Sequence, residues 1–348
     1  MLVLGFETSC DETAAAVVED GKRILSSVVA TQIPFHRQFS GVVPEIASRK
    51  HTEWILPVAR KALGDAGCAL SDIGAFAATN RPGLMGSLLV GLTFAKTIAW
   101  GERKPFIAVN HMLAHLYAAH LDRDIPYPYL GLLVSGGHSL ICKVTGFDEI
   151  EVLGATVDDA AGEAFDKVAK FYGLGYPGGV VIDKLAQGGN PRAARFPMPN
   201  LKTLGKLGAR GHCSLSYSGL KTAAINQLDR FWNPEFPRTN ENIAAAFQEA
   251  AVKILTRSLF RAVDDTGLTT VVAGGGVAAN SRLRAALAAR TDLTCVFPPL
   301  KLCTDNGAMV AGVGYQYLSR GETSPWDVSA SARIPAFKPA ARRGKELP

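Results

Sequence analysis

No two cysteines in this 348-residue chain stand in a C-x-x-C pair. The six present, at positions 10, 68, 142, 213, 295 and 303, are scattered. That spacing argues against both a disulfide framework and a cysteine-built zinc site, and predicts reduced, mostly buried thiols. No uncharged apolar run approaches the roughly 20 residues that a membrane-spanning helix requires. The first residues enter an apolar strand without a basic leader, so a cytoplasmic location is the expectation. Acidic residues are absent from Lys184 to Leu228, where Lys184, Arg192, Arg195, Lys202, Lys206, Arg210 and Lys221 supply seven positive charges. The net charge of the whole chain is only +6, which leaves the remainder close to neutral. A one-sign stretch suits a polyanion, because each phosphate neutralised releases counterions, although a solvated basic loop has the same composition.

What is present is a large apolar inventory: 47% hydrophobic residues against 20% charged, enough for two ordinary domains. The opening "LVLGFETSCDETAAAVVEDGKRILSSVVA" reads as three strands joined by an acidic, hydroxyl-rich turn and a turn at Asp20 and Gly21. "YLGLLVSGGHSLICKVTGFDEIEVLGAT" repeats that plan around "SGGH". Helical patterns follow each meander, among them "SLLVGLTFAKTIAW", "DDAAGEAFDKVAKFYG" and "NIAAAFQEAAVKILTRSLFRAV". "CTDNGAMVAGVGYQYLS" offers Thr304 and Asp305 as helix caps. The predicted fold is α/β: two actin-like lobes built by duplication, residues 1–125 and 126–333, with an ATPase-type nucleotide cleft between strand-end turns and an irregular basic tail over 334–348. Actin, sugar kinases and Hsp70-type ATPases share this plan.

Two nucleotide motifs fail on context. "GLGYPG" at 173–178 follows a helix and contains Pro177, and "GSLLVGLTFAKT" has Leu92 where a P-loop needs lysine. "SGGH" at 135–138 is either an ordinary tight turn or one whose backbone N–H groups meet an anion. "AGGGVAAN" would let a flat ligand lie against the backbone, with Asn280 bonding it or capping the helix that follows. In "NHMLAHLYAAHL", His111 and His115 lie one turn apart on one helix face and His120 points away. Such a pair is either two satisfied imidazoles or half of a metal site. Met112 removes the glutamate that a zinc protease motif requires. Asp305 is a candidate third ligand, and two histidines with one carboxylate suit iron(II) or zinc.

Together and in this order, "ETSCDET", "NHMLAH", "LVSGGH", "GEAFDKVAKFYGLGYPGG", "SYSGLKTA", "AGGGVAAN" and "CTDNGAM" resemble the tRNA N6-adenosine threonylcarbamoyltransferase family over nearly the whole chain. The resemblance implies that His111, His115 and Asp305 hold one divalent ion, iron or zinc. It places adenylate contacts at Val134, Ser135, Gly136, Gly137, His138, Asp166, Gly179, Asp183 and Asn280. It implies transfer of a threonylcarbamoyl group from threonylcarbamoyl-AMP to N6 of the adenosine 3′ of the tRNA anticodon, with AMP released. The implied partners are tRNA, the separate synthase that makes the adenylate (TsaC/Sua-type), a degenerate paralogue (TsaB) and a small P-loop ATPase (TsaE). Adenine's amine is a poor nucleophile, so Asp11 or Glu12 in the first meander turn is the candidate acceptor of its proton, although an acidic turn could equally position the phosphate through water or a cation. Lys202, Lys206 and Arg210 are candidate tRNA contacts. An actin-like kinase or ATPase using the same cleft is the alternative, and a noncatalytic scaffold a third; neither needs the histidine pair.

Overall fold

The computed structural model describes residues 1–39, 41–200 and 213–333. In the first sheet β1 (Leu2–Glu7), β2 (Glu12–Glu19) and β3 (Arg23–Thr31) form an antiparallel meander, and β4 (Ile73–Arg81) and β5 (Phe106–Asn110) extend it in parallel beyond β1. The second sheet has β6 (Tyr129–Val134), β7 (Ser139–Val144) and β8 (Ile150–Ala155) as its meander, with β9 (Thr270–Gly274) and β10 (Thr294–Val296) in parallel beyond β6. The orders β3-β2-β1-β4-β5 and β10-β9-β6-β7-β8 are the same topology written twice, as the repeated meander predicts.

Burial explains which strands sit where. The run Thr13–Val18 in β2, apolar from Ala14 on, is buried on both faces, while the edge strand β3 alternates between exposed and covered residues. Helices α1 (Pro44–Ala66) and α2 (Met85–Gly101) cover one face of the first sheet, with Ile55 and Leu92 packed among Leu4, Phe6 and Phe106. The short helix α3 (His111–Tyr117) continues directly from β5. In the second half come α4 (Ala161–Phe171), α5 (Gly178–Ala186), α6 (Ser218–Asn226), α7 (Asn240–Thr266) and α8 (Ser281–Ala288). Phe165 of α4 meets Phe247 of α7 edge to face at 5.2 Å, burying two large apolar side chains worth roughly 1.5–3 kcal/mol each.

The last helix, α9 (Gly307–Ser319), crosses back to the first sheet. Glycines permit that approach: a Cβ on Gly5 would lie 2.4 Å from the Ala311 nitrogen, and one on Gly307 would lie 2.6 Å from that of Ala16. This return carries the residues just before α9 toward α3. Neither Thr304 nor Asp305 caps α9; the cap is Asn306, whose Oδ1 accepts the Met309 N–H at 2.9 Å. Asp305 is thereby left free to point elsewhere. No helix among the described residues is long and apolar enough to cross a membrane.

Candidate metal and adenylate site

Asn110 ends β5 and starts α3, its Oδ1 accepting N–H bonds from Met112 (2.9 Å) and Leu113 (3.4 Å). His111 and His115 then share one face with ring centroids 4.5 Å apart. Asp305 arrives from the far end of the chain, its Oδ1 at 3.0 Å from His115 Nε2 and 3.7 Å from His111 Nε2. Ligand atoms of the three residues all lie within 4.8 Å of one another. His120 takes no part: its Nε2 pairs with the Tyr129 hydroxyl at 3.1 Å.

Glu7, for which the sequence reading gives no role, anchors the cluster. It is fully buried at the end of β1. Its Oε1 accepts the Ser9 N–H at 2.6 Å, and its Oε2 accepts the Thr79 hydroxyl at 2.6 Å and lies 2.9 Å from His111 Nδ1. A buried carboxylate beside Nδ1 takes that nitrogen's proton as a hydrogen bond, which fixes the ring and aims Nε2 at Asp305. A charged residue closing an otherwise apolar strand was the available signal.

The electrostatics favour a cation. Burial alone would lower the His111 pKa, but the charges of Glu7 and Asp305 overcome it and push His111 up to about 9. Burial would likewise raise Asp305, yet His111 and His115 bring it down to about 2. A pocket that pulls a proton onto an imidazole so strongly has negative charge to spare. Two imidazoles and a carboxylate are the donor set of iron(II) or zinc sites, so the residues fit a divalent ion.

Around this cluster lie the turns of both meanders. Asp11 and Glu12 enter β2, and Asp11 is buried. Burial, then the charges of Asp11 and Asp305, hold the Glu12 carboxyl well above the usual range. From the second half, the Ser135–His138 turn closes with the Ser135 N–H on the His138 carbonyl (2.7 Å) and the His138 N–H on Ser135 Oγ (3.1 Å). The N–H groups of Gly136 and Gly137 donate to nothing among the described residues, and the space beside both is open. Burial and the nearby His111 and His115 push His138 down to about 4, so its ring is neutral.

The glycine loop after β9 packs into the same place. A Cβ on Gly275, whose φ is +88°, would lie 2.4 Å from the Val134 carbonyl oxygen, and one on Gly274 would lie 2.6 Å from that of His115. Asn280 caps α8 through Leu283 N–H at 3.0 Å, which leaves its amide NH2 for other partners. Asp166 accepts the Gly178 N–H at 2.7 Å; burial raises it to about 6, with Asp11 adding to the rise. Gly179 has open space where a side chain would be. Asp183 accepts from Ser281 Oγ at 2.7 Å and from Gln248, joining α5, α7 and α8. Tyr176, missed by the sequence reading, feels the charges of Asp11, Asp166 and Glu12, and its hydroxyl is pushed upward by burial first and by them second. Lys202, Lys206 and Arg210 lie outside the described residues, as does the tail from 334.

Comparison with known folds agrees with the two-lobed plan. HypF of T. kodakarensis aligns with 92% of this chain and 48% of its own at a TM-score of 0.60 and 13% identity. The activator of the 2-hydroxyisocaproyl-CoA dehydratase from Clostridium difficile aligns over 95% of this chain and 100% of its own at a TM-score of 0.52 and 14% identity. At those identities the likeness shows an actin-like fold alone. Relatives in sequence say more. A tRNA N6-adenosine threonylcarbamoyltransferase of Treponema denticola is 68% identical over 99% of this chain and 100% of its own. One of Treponema pallidum is 60% identical over 97% and 94%. The sequence model of the TsaD family, tRNA N6-adenosine threonylcarbamoyltransferase, matches residues 23–312. With most of its length inside that match and near-complete alignment to such relatives, the chain belongs to the tRNA N6-adenosine threonylcarbamoyltransferase family and is a transferase.

Proposed function

We propose that this chain moves the threonylcarbamoyl group of threonylcarbamoyl-AMP to N6 of the adenosine 3′ of the tRNA anticodon and releases AMP, with His111, His115 and Asp305 holding iron(II) or zinc. The convergence of those three side chains, with 190 residues separating His115 from Asp305, carries the reading. When bound, such an ion supplies Lewis acidity and a template for the oxygens of the acyl donor.

The remaining chemistry falls to the chain's own groups. The unpaired N–H groups of Gly136 and Gly137 offer the adenylate phosphate two donors on a turn that needs no reorganisation. Val134, Ser135 and His138 shape that turn, and the neutral His138 ring can accept or donate without adding charge. The open face at Gly179 and the Asn280 amide suit ribose and adenine, while Asp166 and Asp183 fix the helices that carry them. Glu12, with its raised proton affinity, is the acceptor for the proton that the attacking amine loses, and Asp11 keeps that affinity high. Holding the amine and the activated carbonyl together supplies most of the acceleration for so weak a nucleophile. Lys202, Lys206 and Arg210 extend the tRNA footprint; the synthase, the paralogue and the P-loop ATPase complete the cytoplasmic system.

The test is direct. Purified protein, with those partners, threonylcarbamoyl-adenylate and unmodified tRNA, is expected to yield modified adenosine by mass spectrometry of the digested nucleosides. ATP cleavage without nucleoside modification would favour the kinase or ATPase alternative.

A further inference from the structure

Behind the acidic turn lies a second group of polar side chains that the transfer reaction leaves unused. Thr13, Gln32, His36 and His51 are all completely buried, and their hydrogen bonds run in one direction. The Val43 N–H donates to His36 Nδ1 at 3.3 Å, so the His36 proton sits on Nε2, which donates to Gln32 Oε1 at 3.2 Å. That fixes the Gln32 amide, whose Nε2 faces the Ala47 carbonyl at 3.3 Å and His51 Nδ1 at 3.5 Å. Thr13 Oγ1 stands 2.8 Å from the same His51 nitrogen. At the far end His51 Nε2 lies 2.9 Å from the Cys10 carbonyl oxygen. A carbonyl can only accept, so His51 carries its proton on Nε2. Burial holds both histidines below their ordinary pKa, in keeping with two neutral rings.

The Cys10 carbonyl is the middle one of three in succession. Ser9 O accepts the Leu84 N–H at 2.8 Å, and Asp11 O accepts the Gln32 N–H at 3.0 Å. Those two bonds belong to the backbone; the middle one comes from a side chain and can be removed by substitution with the two backbone bonds beside it left in place. Because a peptide unit is planar, fixing its carbonyl fixes the direction in which the next residue leaves. Here the next residues are Asp11 and Glu12.

We propose that His51 is a positioning residue. By donating its Nε2–H to the Cys10 carbonyl it sets the plane of the Cys10–Asp11 peptide and so aims the Asp11 and Glu12 carboxyl groups into the cleft, while His36, Gln32 and Thr13 hold it in the tautomer that can donate. The inference rests on the transfer reaction proposed above, in which those carboxyl groups handle the amine's proton.

Two measurements test it. In wild-type protein, nitrogen-15 NMR of the imidazoles is expected to show His51 protonated on Nε2 and bare on Nδ1; the opposite tautomer overturns the proposal whether or not transfer is observed. In single-turnover transfer to tRNA with the partner proteins supplied, His51→Leu is expected to lower the rate about tenfold. Apparent affinity for the adenylate and metal content should both stay within about twofold, since no proposed ligand is touched. His51→Gln, which restores an N–H donor of similar reach, should recover to within about threefold of wild type. A His51→Leu rate equal to wild type, or a His51→Gln rate no better than His51→Leu, overturns it. Should His51→Leu fail to fold, Thr13→Val removes one bond that holds the ring and is expected to slow transfer about threefold; an unchanged rate then counts against the proposal. Absence of transfer by wild type instead strikes the reaction itself and leaves the tautomer result to decide the hydrogen-bond claim.

Discussion

The two meander turns hold the same place in two copies of one topology and are built in opposite ways. The first, between β1 and β2, carries Ser9, Cys10 and Asp11 and leads into Glu12; its carbonyls are tied down from outside and the Glu12 carboxyl feels the charge of Asp305. The second, between β6 and β7, has Gly136 and Gly137 at its tip, with N–H groups unpaired and no side chains in the way among the described residues. One turn brings carboxyl groups. The other brings positive backbone dipoles for an anion. A symmetric frame thus produces an asymmetric cleft, acidic at the first turn and lined by glycine backbone at the second, with the His111, His115 and Asp305 cluster close enough to shift groups on both.

Breaking the cluster should have the largest effect. His111→Ala is expected to strip the ion and lower transfer about a thousandfold, in line with the several kcal/mol a metal ion supplies; circular dichroism should show the fold intact. Next comes the support behind it. Glu7→Gln keeps the shape but weakens the grip on His111 Nδ1, and is expected to lower metal affinity about 10- to 100-fold in chelator competition. The ion also competes with the proton that His111 holds up to about pH 9 in metal-free protein. Apparent metal affinity should therefore rise about tenfold per pH unit from pH 7 and level off above about pH 9.

The opposite turn is challenged by Gly136→Ala and Gly137→Ala. Neither Cβ would touch protein, so stability should hold, while KM for the adenylate rises about tenfold if the phosphate lies where the side chain would be. Reversing Lys202, Lys206 and Arg210 should weaken tRNA binding and lower the slope of log affinity against log salt by about two to three. Smallest is Asn306→Ala, which removes the α9 cap. It should cost about 1 kcal/mol, seen as a thermal midpoint lower by a few degrees, with a partial loss of metal as Asp305 loses its footing.

Much of this cleft is legible from residues alone, because it depends on local patterns. The duplicated meanders, the helix that pairs His111 with His115, and the glycine turns all follow from periodicities of two and 3.6 residues and from glycine spacing. Long-range placement is not legible in that way. Asp305 reads both as a helix cap and as a third ligand until α9 is seen docking on β1 through Gly5 and Gly307, which gives the cap to Asn306 and leaves Asp305 beside His115 of α3. Glu7 and His51 act through partners 104 and 41 residues away, Glu7 on His111 and His51 on Cys10. No local rule announces such a partner, though a charge at the end of a buried strand and a histidine inside an amphipathic helix are the residues to question. Family resemblance, by contrast, names His111, His115 and Asp305 directly but says nothing of what holds them in place.

The proposed function depends on a histidine pair from α3 and a carboxylate 190 residues beyond His115 meeting on one cation. Elemental analysis of protein purified without chelators, beside His111→Ala and Asp305→Ala prepared identically, tests it most directly. The account predicts about one iron or zinc per wild-type chain and near-total loss in both variants. Wild-type protein without stoichiometric metal, or variants that retain it in full, would contradict it.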